Sequence, residues 1–276
     1  MTSKTSGVAD DASAVSRRGA ADFERTDVFG VRCFRGTLNE ATALLIDAAV
    51  ARSGGYACLC NVHVLETARR DPNVMHALAA AEVVFPDGAP IALAQRWFAP
   101  VRAERVGGPD LMQRVIADGQ KSELRHAFYG STPTVLASLE RSLRDRYPDV
   151  NVVASVAPPF GPRVTLSEAD REMMRAARPH IVWVALGAPR QELWMARHAA
   201  QLAPSMLVGV GAAFDFLSGS KVRAPRWMQT AGLEWLHRLL SEPRRLGPRY
   251  VTTNARFLGR LARSVLNGNA RRKPCS

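Results

Sequence analysis

The sequence predicts an α/β fold: a parallel sheet flanked by helices, followed by a basic helical appendage at the C-terminus. Three observations carry this. Short apolar runs of β type alternate with helical patterns, glycine-rich turns close the runs, and the alternation stops after Gly219, where positive charge accumulates. Alternation of strand and helix is the pattern of parallel pairing, because each crossover needs room for a helix.

Residues 1 to about 25 are rich in Ser, Ala, Asp and Arg without periodicity, the composition of a disordered leader. The α/β core is expected over 26–220 and the appendage over 221–276. An apolar run predicts a strand over 56–60, and helical spacing follows over 62–70. A brief strand over 83–85 precedes helices over 90–97 and 111–119. The second half is more regular, with strands over 126–129, 150–156, 180–186 and 206–210. Between them run helices over 133–147, 167–177 and 190–202, the second opening on a Ser-x-x-Asp start. Beyond Gly219, a helix over 225–240 carries Trp227 and Trp235, and another covers 250–266. In the latter, Phe257, Leu258, Leu261, Val265 and Leu266 cluster while Arg256, Arg260 and Arg263 recur at helical spacing. Such a helix suits an interfacial membrane site or packing on the main domain.

At 276 residues the chain is long enough to bury a substantial core. Its formal charge of +12 is concentrated: residues 221–276 hold 13 Lys/Arg against Glu234 and Glu242, a net of +11. A basic terminal segment implies an anionic partner, either nucleic acid or an acidic membrane surface. Cys33, Cys58, Cys60 and Cys275 lack zinc-site spacing and read as thiols of a reducing cytoplasm, Cys58 and Cys60 as core residues. No apolar run reaches the ~18 residues of a membrane span, and no hydrophobic signal region opens the chain, so a soluble or peripheral protein is expected.

Ligands of parallel α/β sheets sit at the carboxyl ends of the strands. The run Val182 to Glu192 ends in the turn at Gly187 and opens a helix with Gln191 and Glu192, an arrangement suited to phosphates and sugar hydroxyls. Asp87 follows an apolar strand and precedes Gly88. It reads equally as a general base on an acceptor hydroxyl or as an Asx turn or N-cap. Asn61 orients a hydroxyl or caps its helix, the cap being favoured by spacing alone. Gly107 and Gly108 allow backbone to approach a ligand closely ahead of a helix that Asp110 is expected to N-cap, and all three are assigned to the donor site. Gly130 and Ser131 begin a strand–turn–helix able to receive a diphosphate, and Asp215, between two phenylalanines, is placed to bond a base or ribose or to cap local backbone. His63 reads as a core or rim residue, and the other histidines have no ligand spacing, so no catalytic metal is expected.

Together these segments resemble the WecG/TagA/CpsF family of bacterial glycosyltransferases (glycosyltransferase family 26). The segments are NVHVLETARRDP, PDG, ERVGGPDLM, FYGSTP, WVALGAPRQELW, GVGAAFDFLSG and RAPRWMQTAGLEWLHRLLSEPRR, in the family's order from about residue 30 to 250. The resemblance implies a Rossmann-like core that takes a UDP-activated sugar. It implies transfer, with inversion, to a saccharide on a polyprenyl diphosphate carrier in surface polysaccharide assembly, without a metal or other cofactor. It places Asp87 where the family's candidate base lies, Asn61 in its strand-end motif, and Gln191 and Glu192 in the donor turn. A basic C-terminal appendage is expected to close over the site and reach the membrane. Arg238, Arg244, Arg245 and Arg249 are the candidates for the departing diphosphate, since arginine offers a fork of donors. The sequence departs from the family in one place, reading Pro248-Arg249-Tyr250 where an Arg-Arg pair often precedes the tyrosine. Arg244 and Arg245 are then the substitutes for the lost contact.

The expected partners are a UDP-sugar, a polyprenyl-diphosphate-linked saccharide and an anionic membrane surface, at the cytoplasmic face of a bacterial cell membrane. The alternatives are a nucleic-acid-binding protein using the basic tail, or a catalytically idle subunit of a polysaccharide assembly complex. The tail's amphipathic pattern and the absence of a helix-turn-helix or zinc motif argue against nucleic acid. The donor sugar, the acceptor, the linkage and the oligomeric state, a homo-oligomer included, are left open.

Overall fold

A computed structural model describes residues 23–99, 103–159, 161 and 164–266. The chain opens with an antiparallel hairpin, β1 (Arg25–Val28) and β2 (Val31–Phe34), followed by α1 (Leu38–Val50). Then come β3 (Tyr56–Cys60), α2 (Val62–Ala68), α3 (Pro72–Ala79), β4 (Val83–Pro86), α4 (Ala89–Phe98) and α5 (Gly108–Gly119). The second half runs β5 (Arg125–Gly130), α6 (Pro133–Arg146), β6 (Asn151–Val156), α7 (Glu168–Ala177), β7 (Ile181–Ala185), α8 (Arg190–Leu202) and β8 (Met206–Gly209). Four helices close the described chain: α9 (Ala213–Leu217), α10 (Arg226–Thr230), α11 (Glu234–Ser241) and α12 (Pro243–Leu266).

Strands β3 to β8 form one parallel sheet in the order β4-β3-β8-β7-β5-β6. Side chains alternate across it, so each central strand is apolar on both faces, as a sheet covered on both sides requires. Cys58 and Val184 lie in the core beneath α2, α3, α7 and α8, while Leu59 and Trp183 lie in the core beneath α1, α5, α6 and α9. The carboxyl ends of β4, β3, β8, β7 and β5 lie along one edge of the sheet, the strand-end crevice where ligands of such folds sit.

The predicted parallel α/β core is present. The hairpin, α1 and α3 were not anticipated. The hairpin turn uses Phe29 at φ 53°, a residue that gives no turn signal in the sequence. Thr37 and Glu40 form a reciprocal capping box that starts α1, a signal that was legible. Phe23 to Arg25 belong to the first hairpin region rather than to a leader, and residues 1–22 of that predicted leader lie outside the described residues. The helix expected over 225–240 is two helices, because the chain turns at Gly232 between α10 and α11. Cys33, Cys58 and Cys60 are buried free thiols, whereas Cys275 lies outside the described residues.

One side of α12 packs on the core. Phe257 is buried against Phe29, edge to face at 5.8 Å, and Phe29 meets Phe98 of α4 at 5.2 Å. Arg260 reaches Glu66 of α2 at 3.0 and 3.3 Å, and Glu66 is 0% exposed. Removing one member of such a pair leaves a charge without compensation in a medium that solvates it poorly. Arg260→Ala is expected to destabilise the fold by about 2–3 kcal/mol, discounted for the partly exposed arginine. Equilibrium urea unfolding checks this, and Glu66→Gln added to Arg260→Ala should recover most of the loss.

Candidate active site

Two adjacent strands end in the polar pair at the head of the crevice. After β3, Asn61 N-caps α2: its side-chain oxygen accepts from His63 N and Val64 N, both at 3.1 Å. Its Nδ2 donates to Asp87 Oδ2 at 3.3 Å, so both readings of Asn61 are realised in one side chain. The cap fixes the amide, and the fixed amide aims a donor at the carboxylate. After β4, the Asp87 backbone N–H donates to Cys60 O at 2.9 Å, and Val106 N donates to Pro86 O at 2.8 Å. Asp87 caps nothing: the N-cap of α4 is Gly88, with no side-chain bond. Its carboxylate is thereby left for the crevice.

Asp87 is half-buried, and desolvation pushes its pKa above the ordinary carboxylate value. Arg105, the Asn61 hydrogen bond and Arg238 pull it down, and Glu234 pushes it further up. A carboxyl group with this surrounding accepts a proton more readily than a solvated one, which is what a base on a sugar hydroxyl needs.

Beside Asp87 stands a four-residue ion-pair cluster. Arg223 grips Asp110 with both terminal nitrogens at 2.6 Å and Glu234 through Nε at 3.0 Å. Arg105 binds Asp110 at 2.9 Å and Glu234 through its other terminal nitrogen. Burial alone would raise Asp110 and Glu234, but the hydrogen bonds from the arginines bring both below their ordinary values. The cluster's contribution to stability is therefore present above the unfolded carboxylate pKa and is lost as pH falls through the depressed folded values. Its members come from the loop before α5, from α5, from the segment before α10 and from α11. The cluster thus fastens the C-terminal helices to the core next to Asp87.

This corrects the expectation for Asp110. It does not cap α5, whose N-cap is Gly107 without a side-chain bond; it serves the ion-pair cluster instead. Gly108 is a packing residue, since a Cβ there would lie 2.9 Å from Val210 O. Gly130 is another: its backbone has φ 118°, and a Cβ would lie 2.5 Å from Ala185 O. Ser131 follows in the left-handed region at φ 64°, and Thr132, not Ser131, caps α6.

The donor-turn residues are more deeply placed than the sequence suggested. Gly187 turns at φ 76° with open space beside it. Gln191 is 3% and Glu192 0% exposed in the first turn of α8, and Gln191 Nε2 donates to Glu192 Oε1 at 2.9 Å. Gln191 Oε1 is buried without a hydrogen-bond partner among the described residues, next to the glycines that end β8. Asp215 on α9 pairs with Lys221 at 3.2 Å, and Lys221 also reaches Glu242.

Among the expected diphosphate arginines whose side chains are described, Arg238 is the one whose charge acts on Asp87, and its guanidinium lies over the Phe216 ring at 5.8 Å. Arg244 is exposed on α12. The backbones of Arg245 and Arg249 belong to α12, and their side chains lie outside the described residues. Sequence reasoning missed Arg105, Arg223 and Glu234. The usable signal was the i, i+4 spacing of Glu234 and Arg238, which puts both on one face of a helix.

Among the described residues, no group of three or more His, Cys, Asp and Glu is arranged to hold a metal ion. No described helix is long and apolar enough to cross a membrane. Two surface concavities, of about 550 and 360 Å3, lie over α6 and between the hairpin and α3, away from Asp87. Asp87, Asn61 and the Arg105–Asp110–Arg223–Glu234 cluster lie instead at the strand ends. A model of the WecG/TagA/CpsF family of glycosyl transferases matches residues 26–271, and the chain belongs to that family.

Proposed function

We propose that the protein transfers a sugar from a UDP-sugar to a polyprenyl-diphosphate-linked saccharide, with inversion, in surface polysaccharide synthesis at the cytoplasmic face of a bacterial membrane. The observation that carries this reading is Asp87: a carboxylate at a strand end, oriented by Asn61, raised by burial and faced by Arg105 and Arg238. In the reaction the acceptor hydroxyl attacks the anomeric carbon and gives its proton to Asp87. The bond from that carbon to the UDP oxygen breaks, and UDP departs with the electron pair. Arg238, with Arg244 and the other α12 arginines, is the source of positive charge for the leaving diphosphate. No metal is required in this scheme. Gly187, Gln191 and Asp215 line the donor side, where Gln191 Oε1 can accept from a ligand N–H or O–H.

The test is UDP release from a panel of UDP-sugars, with and without a polyprenyl-diphosphate-linked saccharide in liposomes. Acceptor-dependent release with one donor is expected. Failure to bind UDP at all would overturn the reading.

An anionic bilayer is the proposed surface partner. Supporting it, seven of the ten large apolar side chains left exposed among the described residues lie on α4, which follows Asp87, and on α10, α11 and α12. Trp97 and Trp227 are among them, and exposed Arg256 and Arg263 share α12. Truncating the chain after Leu240 is a poor test, because it also strips Phe257 and Arg260 from the core. Charge reversal of Arg256 and Arg263 to Glu is cleaner. It should weaken binding to phosphatidylserine-containing vesicles about 30-fold or more, at about 1 kcal/mol per basic residue. Thermal stability should be unchanged; wild-type vesicle binding would discard this face of α12 as the membrane contact.

A further inference from the structure

The ion-pair cluster has an asymmetry that bears on the site. Two of its members, Arg105 and Asp110, belong to the core, and two, Arg223 and Glu234, arrive with the C-terminal helices. Asp110 alone would satisfy one arm of Arg105; Glu234 takes the other. Glu234 is also the first residue of α11, and Arg238, one turn later, faces Asp87 from the same helix. The loop ahead of α11 lies against the start of α4, directly after Asp87: a Cβ on Gly232 would come 2.7 Å from the Ala89 Cβ. Seating α11 therefore delivers three things together: a carboxylate that holds Arg105, a cation toward Asp87, and a stop against α4.

We propose that Glu234 sets the charge balance of the Asp87 centre: paired with Arg105 from the loop before α5 and with Arg223, it holds a negative charge beside Asp87 where α11 is seated against α4. The groups facing Asp87 are Asn61 at the start of α2, Arg105 before α5, and Glu234 and Arg238 on α11. Glu234 is 15% exposed at its side chain, so its charge is screened less than that of a surface residue. Its negative charge opposes ionisation of Asp87 directly. It also neutralises part of Arg105, the strongest of the groups that favour ionisation. Both effects have the same sign. Glu234→Gln keeps an oxygen that accepts from Arg105 and Arg223, so α11 stays seated, and loss of the charge alone makes Asp87 easier to ionise.

The inference rests on the proposed role of Asp87 only for its kinetic consequence, so the primary readout is independent of activity. The Asp87 carboxyl is titrated in the full chain by difference infrared spectroscopy, wild type minus Asp87→Asn, and again in the Glu234→Gln background. The titration midpoint is expected to fall by about half a pH unit or more in Glu234→Gln. Glu234→Asp, which keeps the charge but draws it back from Arg105, should move it less in the same direction. If transfer has been measured, the acid limb of the rate profile should move down with the midpoint. A purely structural role would lower the melting temperature and leave the midpoint in place. An unchanged or raised midpoint in folded Glu234→Gln overturns the proposal, and if that variant does not fold, Glu234→Asp decides by the same signs. A shifted midpoint with full activity in Asp87→Asn would leave this inference standing and remove Asp87 as the base.

Discussion

Asp87→Asn is expected to lower the rate of sugar transfer by about 10²–10⁴-fold, the range that a positioned general base supplies, while UDP binding persists. The amide keeps the shape of the carboxylate and can still accept from Asn61 Nδ2, so the strand ends need not move. It cannot take the acceptor's proton. The substitution also carries a stability signature of the opposite sign. Because burial raises the Asp87 pKa in the fold, its contribution to stability is fully present at low pH and is lost as pH rises through the raised value. At neutral pH the ionised carboxylate is a burden, and replacing it should leave the melting temperature equal or higher. Activity lost without stability lost identifies a chemical role; both lost together would point to a structural one. The wild-type rate should fall as pH drops through the same raised value, above the range of an ordinary aspartate. Wild-type turnover by Asp87→Asn would remove the residue from the mechanism.

Gly130→Ala is expected to be the most damaging single methyl group in the crevice. Its backbone stands at φ 118°, and the new Cβ would lie 2.5 Å from the oxygen and 2.7 Å from the carbonyl carbon of Ala185. Those atoms belong to the end of β7, which pairs with Gly130 in the sheet. Neither strand can yield without displacing the turn it carries. Backbone strain and overpacking together place the loss at about 4 kcal/mol, much of the stability of an ordinary domain. Gly187→Ala is the control. That glycine has φ 76° but nothing within 4 Å, so only the left-handed backbone penalty of about 1–2 kcal/mol applies. Urea midpoints for the two variants should differ accordingly; equal losses would mean that the approach to Ala185 is relieved by a small shift.

These two glycines show how far the sequence could be read. Both close apolar runs ahead of a helix, and on the page they look alike. The sequence identified each as a turn because turn chemistry is local. What surrounds each turn is not local, so one proves to be a packing constraint and the other open space. The same division runs through the candidate site. Asn61 was legible as a cap from its place before a helix, and its second bond, to Asp87, depended on β3 and β4 lying side by side. Asp110 looked like a cap for the same local reason, yet Arg223, 113 positions on, claims both its carboxylate oxygens beside the nearby Arg105.

The alternation of strands and helices, the strand-end turns, the basic C-terminus and the family could all be read from the amino-acid sequence. The first two are written in spacing and turn residues within a few tens of residues, and the family in the order of its motifs along the chain. The order of the strands, the burial of Gln191 and Glu192, and the seating of α12 on Glu66 emerge only once the chain is folded. Folding alone brings Arg105 to Glu234 across 129 positions and Asp110 to Arg223 across 113. Charges that far apart find one another only when the sheet has fixed where its edges and turns lie, and no periodicity records such a meeting.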